Sequence, residues 1–340
     1  MVDSMSTKSM KKNKLQRIFI TGASSGIGLK ASQCLALAGH HLTLPCRSLE
    51  RSKQTLDQLT TAGADPNKLE TITMDMSDLD SVLRSCNQLL NRGEAFDGII
   101  LNAGLQSAGI KQPLFSKQGI ELTIAVNHLA HQLISTRLLP LLLKGDQPRL
   151  IITASEVHNP STGGGRVGRP AGLKSMNGLK QGAGFTMIDG VSSFDADKAY
   201  KDSKLCNLLM AKELHRQLQA SNQSIPVVSW SPGLVIPRNS QGFFRTSRRQ
   251  NPIGFALFAL LARDLFRVTE SLDQAGVLLS KLAIDPQFSE PDFNYYSNRL
   301  LRPGRHLFDK TQPSQEASDP NKAAELWSLS EALINATLRQ

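Results

Sequence analysis

A tyrosine and a lysine stand four residues apart in this chain, Tyr200 and Lys204. On a helix, residues at this spacing lie on one face, so the ammonium can lower the pKa of the phenol. A phenol prepared in this way can protonate a carbonyl oxygen or a carbanion. Ser155 ends a predicted strand and can donate to a substrate oxygen or to the phenol, while Asn127, in a predicted helix, can complete a proton relay through water. We expect a catalytic site here, the alternative being a buried structural tyrosine.

Three histidines and a cysteine accompany these residues. We interpret His128 and His131, on the predicted helix of the asparagine, as packed or supporting residues rather than metal ligands. His158 either touches a substrate or belongs to a loop. Cys206 is interpreted as a core thiol rather than a pocket residue, and no metal site is predicted.

A glycine-rich turn follows the apolar run 18–21 and opens a predicted helix. Gly22 permits a tight turn, and Gly26 and Gly28 lack the Cβ that would block close approach of a pyrophosphate. The helix N-terminus adds unpaired N–H groups and a partial positive charge. The turn therefore predicts a dinucleotide site, whose residues here are Gly22, Ser24, Ser25, Gly26, Ile27 and Gly28.

The second predicted strand ends in arginine where an NAD enzyme would place an acidic residue for the ribose 2′-hydroxyl. Arg47 and, one helical turn later, Arg51 suit a 2′-phosphate instead, which favours NADP over NAD. The alternative is that Arg47 is a solvated loop residue.

The next two strands also end in residues that suit a cofactor. Asp75, followed by Met76, can accept a hydrogen bond from an adenine amino group. The small residues of Asn102-Ala103-Gly104 let a nicotinamide-side ribose lie close to the backbone, where Lys204 can hold it.

Strand and helix patterns alternate along the chain. We predict a Rossmann-type α/β fold, a doubly wound parallel sheet with helices on both faces. The predicted strands are 18–21, 42–45, 69–74, 98–101, 150–153 and 227–230, and the predicted helices are 29–38, 48–61, 79–91, 119–143 and 202–219.

Two segments interrupt this alternation, 159–197 and 238–267. Both leave the carboxyl ends of strands, where open α/β sheets bind ligands, so we expect them to wall a substrate site. The apolar piece 255–261 is either a lid or a core helix. Residues 1–14 are predicted to form a disordered basic arm, and 15–340 a single reductase-type domain with these two insertions.

Composition excludes several classes of function. The net charge is +10, but the basic residues are scattered and only 5% of residues are aromatic, so nucleic-acid binding is not expected. Four cysteines without paired spacing suggest a reducing compartment and a cytoplasmic location. No apolar run approaches the ~20 residues of a membrane span.

The chain resembles the short-chain dehydrogenase/reductase superfamily over about residues 16–285. The resemblance implies that Asn127, Ser155, Tyr200 and Lys204 form the family's catalytic tetrad. It also implies that Pro232 and Gly233 lie beside the nicotinamide. The matching residues are the turn 21–28, the triplet 102–104, the tetrad and this Pro-Gly pair.

A narrower resemblance is to light-dependent protochlorophyllide oxidoreductases. It rests on the helix 199–207, the segments 126–131, 158–160 and 187–190, the tail 317–330 and the long insertion before Tyr200. It implies NADPH, a tetrapyrrole substrate, reduction of a ring D double bond, and a proton from Tyr200.

The chain departs from this subfamily on the substrate side. Leu234 stands where the subfamily has a cysteine, Ser231 replaces a tyrosine, and Leu101 replaces a cysteine. A leucine neither donates a proton nor forms hydrogen bonds. The alternatives are therefore a retinol- or carbonyl-type dehydrogenase with an apolar substrate, and a non-catalytic NADPH- or pigment-binding protein. Homo-oligomerisation and peripheral contact with a thylakoid membrane are left open.

Overall fold

The computed structural model of the protein describes residues 14–238 and 243–338. At its centre is an eight-stranded sheet in the order β3-β2-β1-β4-β5-β6-β7-β8. Neighbouring strands are parallel from β3 to β7, and β8 is antiparallel to β7. The strands are β1 (Arg17–Ile20), β2 (His41–Cys46), β3 (Leu69–Thr73), β4 (Gly98–Leu101), β5 (Arg149–Thr153), β6 (Val227–Ser231), β7 (Phe293–Arg302) and β8 (Arg305–Lys310).

Helices cover both faces of this sheet, which confirms the predicted doubly wound fold. They are α1 (Gly26–Leu37), α2 (Leu49–Thr61), α3 (Leu79–Arg92), α4 (Leu122–Ile124), α5 (Ala130–Leu142), α6 (Gly163–Arg166), α7 (Asn177–Gln181), α8 (Ala196–Ala220), α9 (Arg245–Gln250), α10 (Pro252–Ala259), α11 (Leu272–Ile284) and α12 (Pro320–Leu338). Short π-helical segments join α4 to α5 (Ala125–Leu129) and follow α10 (Leu260–Leu265). None of the helices in the described residues is long and apolar enough to cross a membrane.

The sheet has a hydrophobic core on each of its two faces, because successive side chains along a strand point to opposite faces. In β1, Ile18 and Ile20 face a core that they share with α1 and α11, whereas Phe19 faces the core under α3, α5, α8 and α12. All three side chains are fully buried, as expected for a central strand covered on both faces.

The helix that carries the tyrosine begins earlier than predicted. The side chain of Asp195 accepts hydrogen bonds from the amides of Asp197 and Lys198, so α8 begins at Ala196 rather than at residue 202. Tyr200 and Lys204 therefore both lie inside one helix.

The two insertions differ in structure. Part of 159–197 packs into the core, where Leu173, Met176, Leu179 and Ile188 are buried with residues of the sheet and its helices. These residues support the fold, and the role of the segment as a wall of a substrate site stays a prediction. In 238–267, by contrast, α10 is largely exposed, and Ile253 has 83% of its surface accessible. Residues 239–242 of this insertion, and residues 1–13 of the predicted basic arm, lie outside the described residues.

Candidate active site

The catalytic tyrosine candidate lies where β5 ends. The Ser155 side chain lies close enough to the Tyr200 phenol to oppose a rise in its pKa, but burial is the larger effect and raises that pKa. The phenol is therefore protonated at neutral pH, the state that a general acid needs. The structure brings Tyr200 and Ser155 together as the sequence predicts.

Lys204 lies on the same side of α8 as the tyrosine. Its Nζ is 5.6 Å from the centroid of the Tyr200 ring and donates to the Thr153 carbonyl at 3.1 Å. Burial lowers the pKa of Lys204 to about 8. The lysine is thus held at the end of β5. The structure does not show the expected lowering of the phenol pKa by this ammonium, because burial dominates.

Asn127 lies in the π-helical turn between α4 and α5 and is fully buried. Its Oδ1 accepts from the Leu105 amide at 2.8 Å, and its Nδ2 donates to the Leu105 carbonyl and to the Ser203 hydroxyl. Ser203 donates in turn to the carbonyl of Tyr200 at 2.6 Å. The side-chain amide of Asn127 therefore links the Leu105 loop to α8. A proton relay through Asn127 stays a prediction and would have to use an atom other than its side-chain amide.

The glycine-rich turn has the backbone shape that a phosphate cradle requires. Gly22 and Gly26 have φ of +73° and +60°, a region that favours glycine. A Cβ on Gly26 would have no atom within 4 Å, so this backbone faces open space. The first turn of α1 begins here, and Ser25 does not cap it with its side chain.

Gly28 has a different reason to be glycine than the sequence suggested. A Cβ on Gly28 would lie 2.2 Å from the carbonyl oxygen of Gly22 and 2.6 Å from Nδ2 of Asn102. The constraint is close packing of α1 against the strand ends, not access for a ligand. Direct contact of Gly28 with a cofactor stays a prediction.

The other predicted cofactor residues lie along the same carboxyl edge of the sheet. Arg47 follows β2 and is exposed, and Arg51 lies in the first turn of α2. Asp75 follows β3 and accepts from the amide and hydroxyl of Ser77, while Met76 packs against the core. Contacts of these four residues with a cofactor stay predictions.

Asn102, Ala103 and Gly104 follow β4 and are fixed by their neighbours. The amides of Asn102 and Ala103 both donate to the Thr21 hydroxyl, at 2.8 and 2.9 Å. A Cβ on Gly104 would lie 3.5 Å from Nζ of Lys204. The triplet therefore borders the lysine expected to hold a ribose.

Pro232 and Gly233 leave β6 beside this site. Gly233 has φ of +77°, and a Cβ there would lie 2.7 Å from the Asn298 carbonyl oxygen. Leu234, the next residue, packs with nearby Ile236 and with Phe244 and Phe255 of the second insertion. The position of the subfamily cysteine thus belongs to an apolar cluster.

An aromatic residue that the sequence analysis missed contacts the tyrosine. The Phe243 ring lies edge-to-face with the Tyr200 ring at a centroid distance of 5.1 Å. A row of aromatic contacts leads from Phe243 to Phe244, from Phe244 to Phe255, and from Phe255 to Phe258 on exposed α10. The two adjacent phenylalanines after Gly242 were a visible signal, but nothing in their spacing indicated which side chain they would contact.

Hydrogen bonds and burial show the surroundings of His158 and Cys206, for which the sequence left two interpretations each. His158 bonds through Nδ1 to the Ser155 carbonyl at 2.6 Å and accepts at Nε2 from the Ser314 amide at 3.1 Å. It therefore orders the backbone near Ser155 and is buried, with a pKa lowered by burial to about 4. Cys206 is fully buried in the core, as interpreted.

The carboxyl edge of the sheet fits a dinucleotide. The open backbone at Gly26, the N-terminus of α1 and the row of strand ends from Arg47 to Gly104 suit the phosphates and riboses of such a molecule. No group of three or more metal-ligand side chains occurs among the described residues.

A doubly wound sheet with a Ser-Tyr-Lys site on its carboxyl edge defines a dinucleotide-dependent oxidoreductase, and the comparisons specify the family. The chain matches the short chain dehydrogenase family over residues 16–165. It is 35% identical to "Protochlorophyllide reductase A, chloroplastic" of Oryza sativa subsp. japonica, over 93% of this chain and 80% of that protein. It is 33% identical to "Protochlorophyllide reductase" of Avena sativa, over 93% and 99%. The chain belongs to the short-chain dehydrogenase/reductase family and is an oxidoreductase.

Solved structures support the same fold. A putative uncharacterized protein from Mycobacterium paratuberculosis superposes with a TM-score of 0.65 at 23% identity, covering 94% of this chain and 93% of that one. The RhlG/NADP complex of Pseudomonas aeruginosa superposes with a TM-score of 0.59 at 19% identity, covering 84% and 96%. At these identities the likeness concerns the fold alone.

Proposed function

We propose that this protein is an NADPH-dependent reductase of a tetrapyrrole carbon–carbon double bond, of the protochlorophyllide reductase type. One observation carries the proposal. The similarity to protochlorophyllide reductases extends over 93% of the chain, so it includes the insertions and the tail as well as the cofactor half. The match to the general short chain dehydrogenase family covers residues 16–165 only.

We assign cofactor binding and proton donation to different residues of the site. Gly22, Gly26 and the N-terminus of α1 would hold the pyrophosphate, and Arg47 the 2′-phosphate. When bound, the nicotinamide supplies a hydride to one carbon of the double bond. Tyr200, protonated and next to Ser155, gives its proton to the other carbon, so the double bond gains one hydride and one proton.

Lys204 and the apolar insertion complete this arrangement. Lys204 would hold a cofactor ribose and stabilise the phenolate that forms as the proton leaves. Leu234, Phe243 and Phe244 offer an apolar, aromatic surface beside Tyr200, which suits a large flat ring system. Because Leu234 has no proton to give, Tyr200 is the donor in this proposal.

Pigment absorption tests the proposal directly. The protein is mixed with NADPH and protochlorophyllide in the dark, and spectra are recorded before and after a flash. A light-dependent shift to the reduced pigment is expected. Pigment binding without reduction would instead support a pigment carrier. Absence of binding, together with NADPH oxidation by apolar aldehydes or retinal, would support a carbonyl-type dehydrogenase.

We also propose that α10 and the turn after it contact a membrane surface. Ile253, Leu257 and Leu265 have 83%, 56% and 64% of their surfaces exposed, and Arg245 and Arg249 lie on the neighbouring α9. Apolar side chains next to arginines are typical of segments that lie in an anionic lipid interface. This contact would bring an apolar pigment to the site.

Vesicle flotation tests this contact. The protein should float with vesicles of an anionic lipid more than with neutral ones, and the Ile253→Asp/Leu257→Asp variant should not float. Leu301→Asp, an exposed leucine of the β7–β8 hairpin, is the matched control and should float like the unchanged protein. Equal flotation of both variants would refute the assignment of the contact to α10.

A further inference from the structure

The hydroxyl of Thr21 is a junction between the cofactor turn and the fourth strand. Thr21 directly precedes Gly22 and is almost fully buried. Its Oγ1 accepts from the amides of Asn102 and Ala103, at 2.8 and 2.9 Å. The hydroxyl hydrogen has two acceptors in reach, Nε2 of His131 at 3.2 Å and the Ile100 carbonyl oxygen at 3.4 Å, and the histidine nitrogen is the nearer.

His131 connects this junction to the catalytic asparagine. Its Nδ1 lies 3.0 Å from the carbonyl oxygen of Asn127, which can only accept, so Nδ1 carries the hydrogen. Burial lowers the pKa of His131 to about 3, so the ring is neutral and Nε2 is the acceptor for Thr21. Both ring nitrogens are therefore used, and the tautomer is fixed by its partners.

The chain of bonds continues to the tyrosine. From Asn127 it passes through Nδ2 to Ser203 and from Ser203 to the Tyr200 carbonyl. A buried path through His131 thus joins the glycine-rich turn to the helix of Tyr200, beside a second connection through the bonds between Asn127 and Leu105. The π-helical turn around Asn127 is a widened helix of the kind that is frequent at functional sites.

We propose that His131 is a positioning residue of this oxidoreductase, which holds the Thr21–Ala103 edge of the cofactor site in register with Asn127 and the catalytic helix. This rests on the proposed NADPH site but not on the identity of the substrate. Without the ring nitrogens, the Thr21 hydroxyl would keep only the longer bond to the Ile100 carbonyl, and the Asn127 carbonyl would lose the bond from Nδ1. We expect the hydroxyl to rotate toward Ile100 and both groups to shift. The cofactor edge would move with them.

His128 provides a matched control. It is one helical turn away, equally buried, and its pKa is likewise lowered by burial to about 3. Its Nε2 lies 2.8 Å from the Ser330 hydroxyl of α12, so it faces away from the cofactor edge. A phenylalanine at either position keeps a ring and removes both nitrogens, so the two variants lose comparable packing.

The test measures the cofactor-free protein and its NADPH affinity, without any pigment. In His131→Phe, hydrogen exchange at the amides of Asn102 and Ala103 should accelerate, and the NADPH dissociation constant should rise about tenfold, which corresponds to ~1.4 kcal/mol. His131→Gln, whose amide both donates and accepts, should restore most of the affinity. His128→Phe should leave both readouts unchanged even if its unfolding midpoint falls.

Two outcomes would overturn the proposal. One is unchanged exchange and affinity in a folded His131→Phe protein, and the other is an equal effect of His128→Phe. If His131→Phe does not fold, Thr21→Val and Thr21→Ser take its place, with loss of affinity expected only for the valine. Affinity of Thr21→Val equal to that of Thr21→Ser would contradict the role of the hydroxyl. Failure of pigment reduction would bear on the proposed substrate alone.

Discussion

The Lys204 ammonium is 5.6 Å from the centroid of the Tyr200 ring and is bonded to the Thr153 carbonyl. Since burial lowers the pKa of Lys204 to about 8, the lysine loses its charge as the pH rises through that value. A neutral lysine no longer stabilises the phenolate. We expect kcat/KM to fall above pH 8, a profile that reports ionisations of the free enzyme.

The variant that checks this assignment is Lys204→Arg. A guanidinium stays charged across the alkaline range, so the decline near pH 8 should disappear even if the overall rate is lower. An unchanged alkaline limb in Lys204→Arg would assign the titration to another group.

Gly26 and Gly93 form a natural pair for testing the phosphate cradle. Both have positive φ, +60° and +70°, and a Cβ on either would meet nothing within 4 Å. Gly26→Ala and Gly93→Ala should therefore each lower the free energy of unfolding by about 1 kcal/mol. Only Gly26→Ala should weaken NADPH binding, because Gly93 ends α3 away from the site. Urea unfolding measures the change in stability, and titration followed by NADPH fluorescence measures the change in affinity. Equal NADPH affinities of the two variants would refute the assignment of Gly26 to the phosphate site.

Arg47 should decide between the two nicotinamide dinucleotides. Loss of a charge-assisted bond to the 2′-phosphate should weaken NADPH binding of Arg47→Ala about tenfold or more. NADH, which lacks this phosphate, should bind as before. Lys53→Ala, an exposed cation on the following helix, is the control for net charge. A parallel loss for NADH would show that Arg47 acts on something other than the 2′-phosphate.

Buried polar contacts of Lys198 link the first insertion, 159–197, to helix α8. Lys198 Nζ donates to Asp202 at 2.5 Å and to the Gly172 carbonyl at 2.9 Å, and Asp189 lies 3.4 Å away. Lys198→Met would leave the buried Asp202 carboxylate without its cation, and Asp189 with only the more distant Lys174 at 3.9 Å. We expect the free energy of unfolding to fall by about 3–5 kcal/mol. Chemical denaturation followed by circular dichroism measures this loss.

The control for this prediction is an ion pair at the surface. Lys180 and Glu325 lie 2.8 Å apart with more than a third of each side chain exposed. Lys180→Met should cost less than about 1 kcal/mol. A similar cost for both substitutions would contradict the view that Lys198 anchors the insertion.

The sequence predicted those parts of the fold that local patterns determine. Strand β4 was predicted with its observed ends because Gly98–Leu101 is a buried apolar run between turn residues. Strands β7 and β8 were missed because their polar and apolar residues do not follow a simple period, and their pairing forms only in the folded chain. Helices α11 and α12 were also missed, although Ser271 and the Asp319-Pro320 pair are signals of helix starts.

The residues of the candidate site were predictable from the sequence, but the hydrogen bonds and packing contacts that link them were not. Ser155 was expected near Tyr200 because a serine at a strand end can donate to the phenol and because the family resemblance pairs the two residues. The link from Thr21 through His131 joins residues far apart in sequence, and no spacing rule indicates it. Gly28 shows the same limit in part, since a Cβ there would clash with Nδ2 of Asn102, just after β4, as well as with the carbonyl oxygen of Gly22.

Replacement of the phenol by phenylalanine tests the central claim most directly. In Tyr200→Phe, NADPH and protochlorophyllide should still bind, but the pigment product formed after a flash should fall at least about a hundredfold, because general acid catalysis is lost. Product formation at the rate of the unchanged protein would contradict the assignment of Tyr200 as proton donor and with it the proposed mechanism.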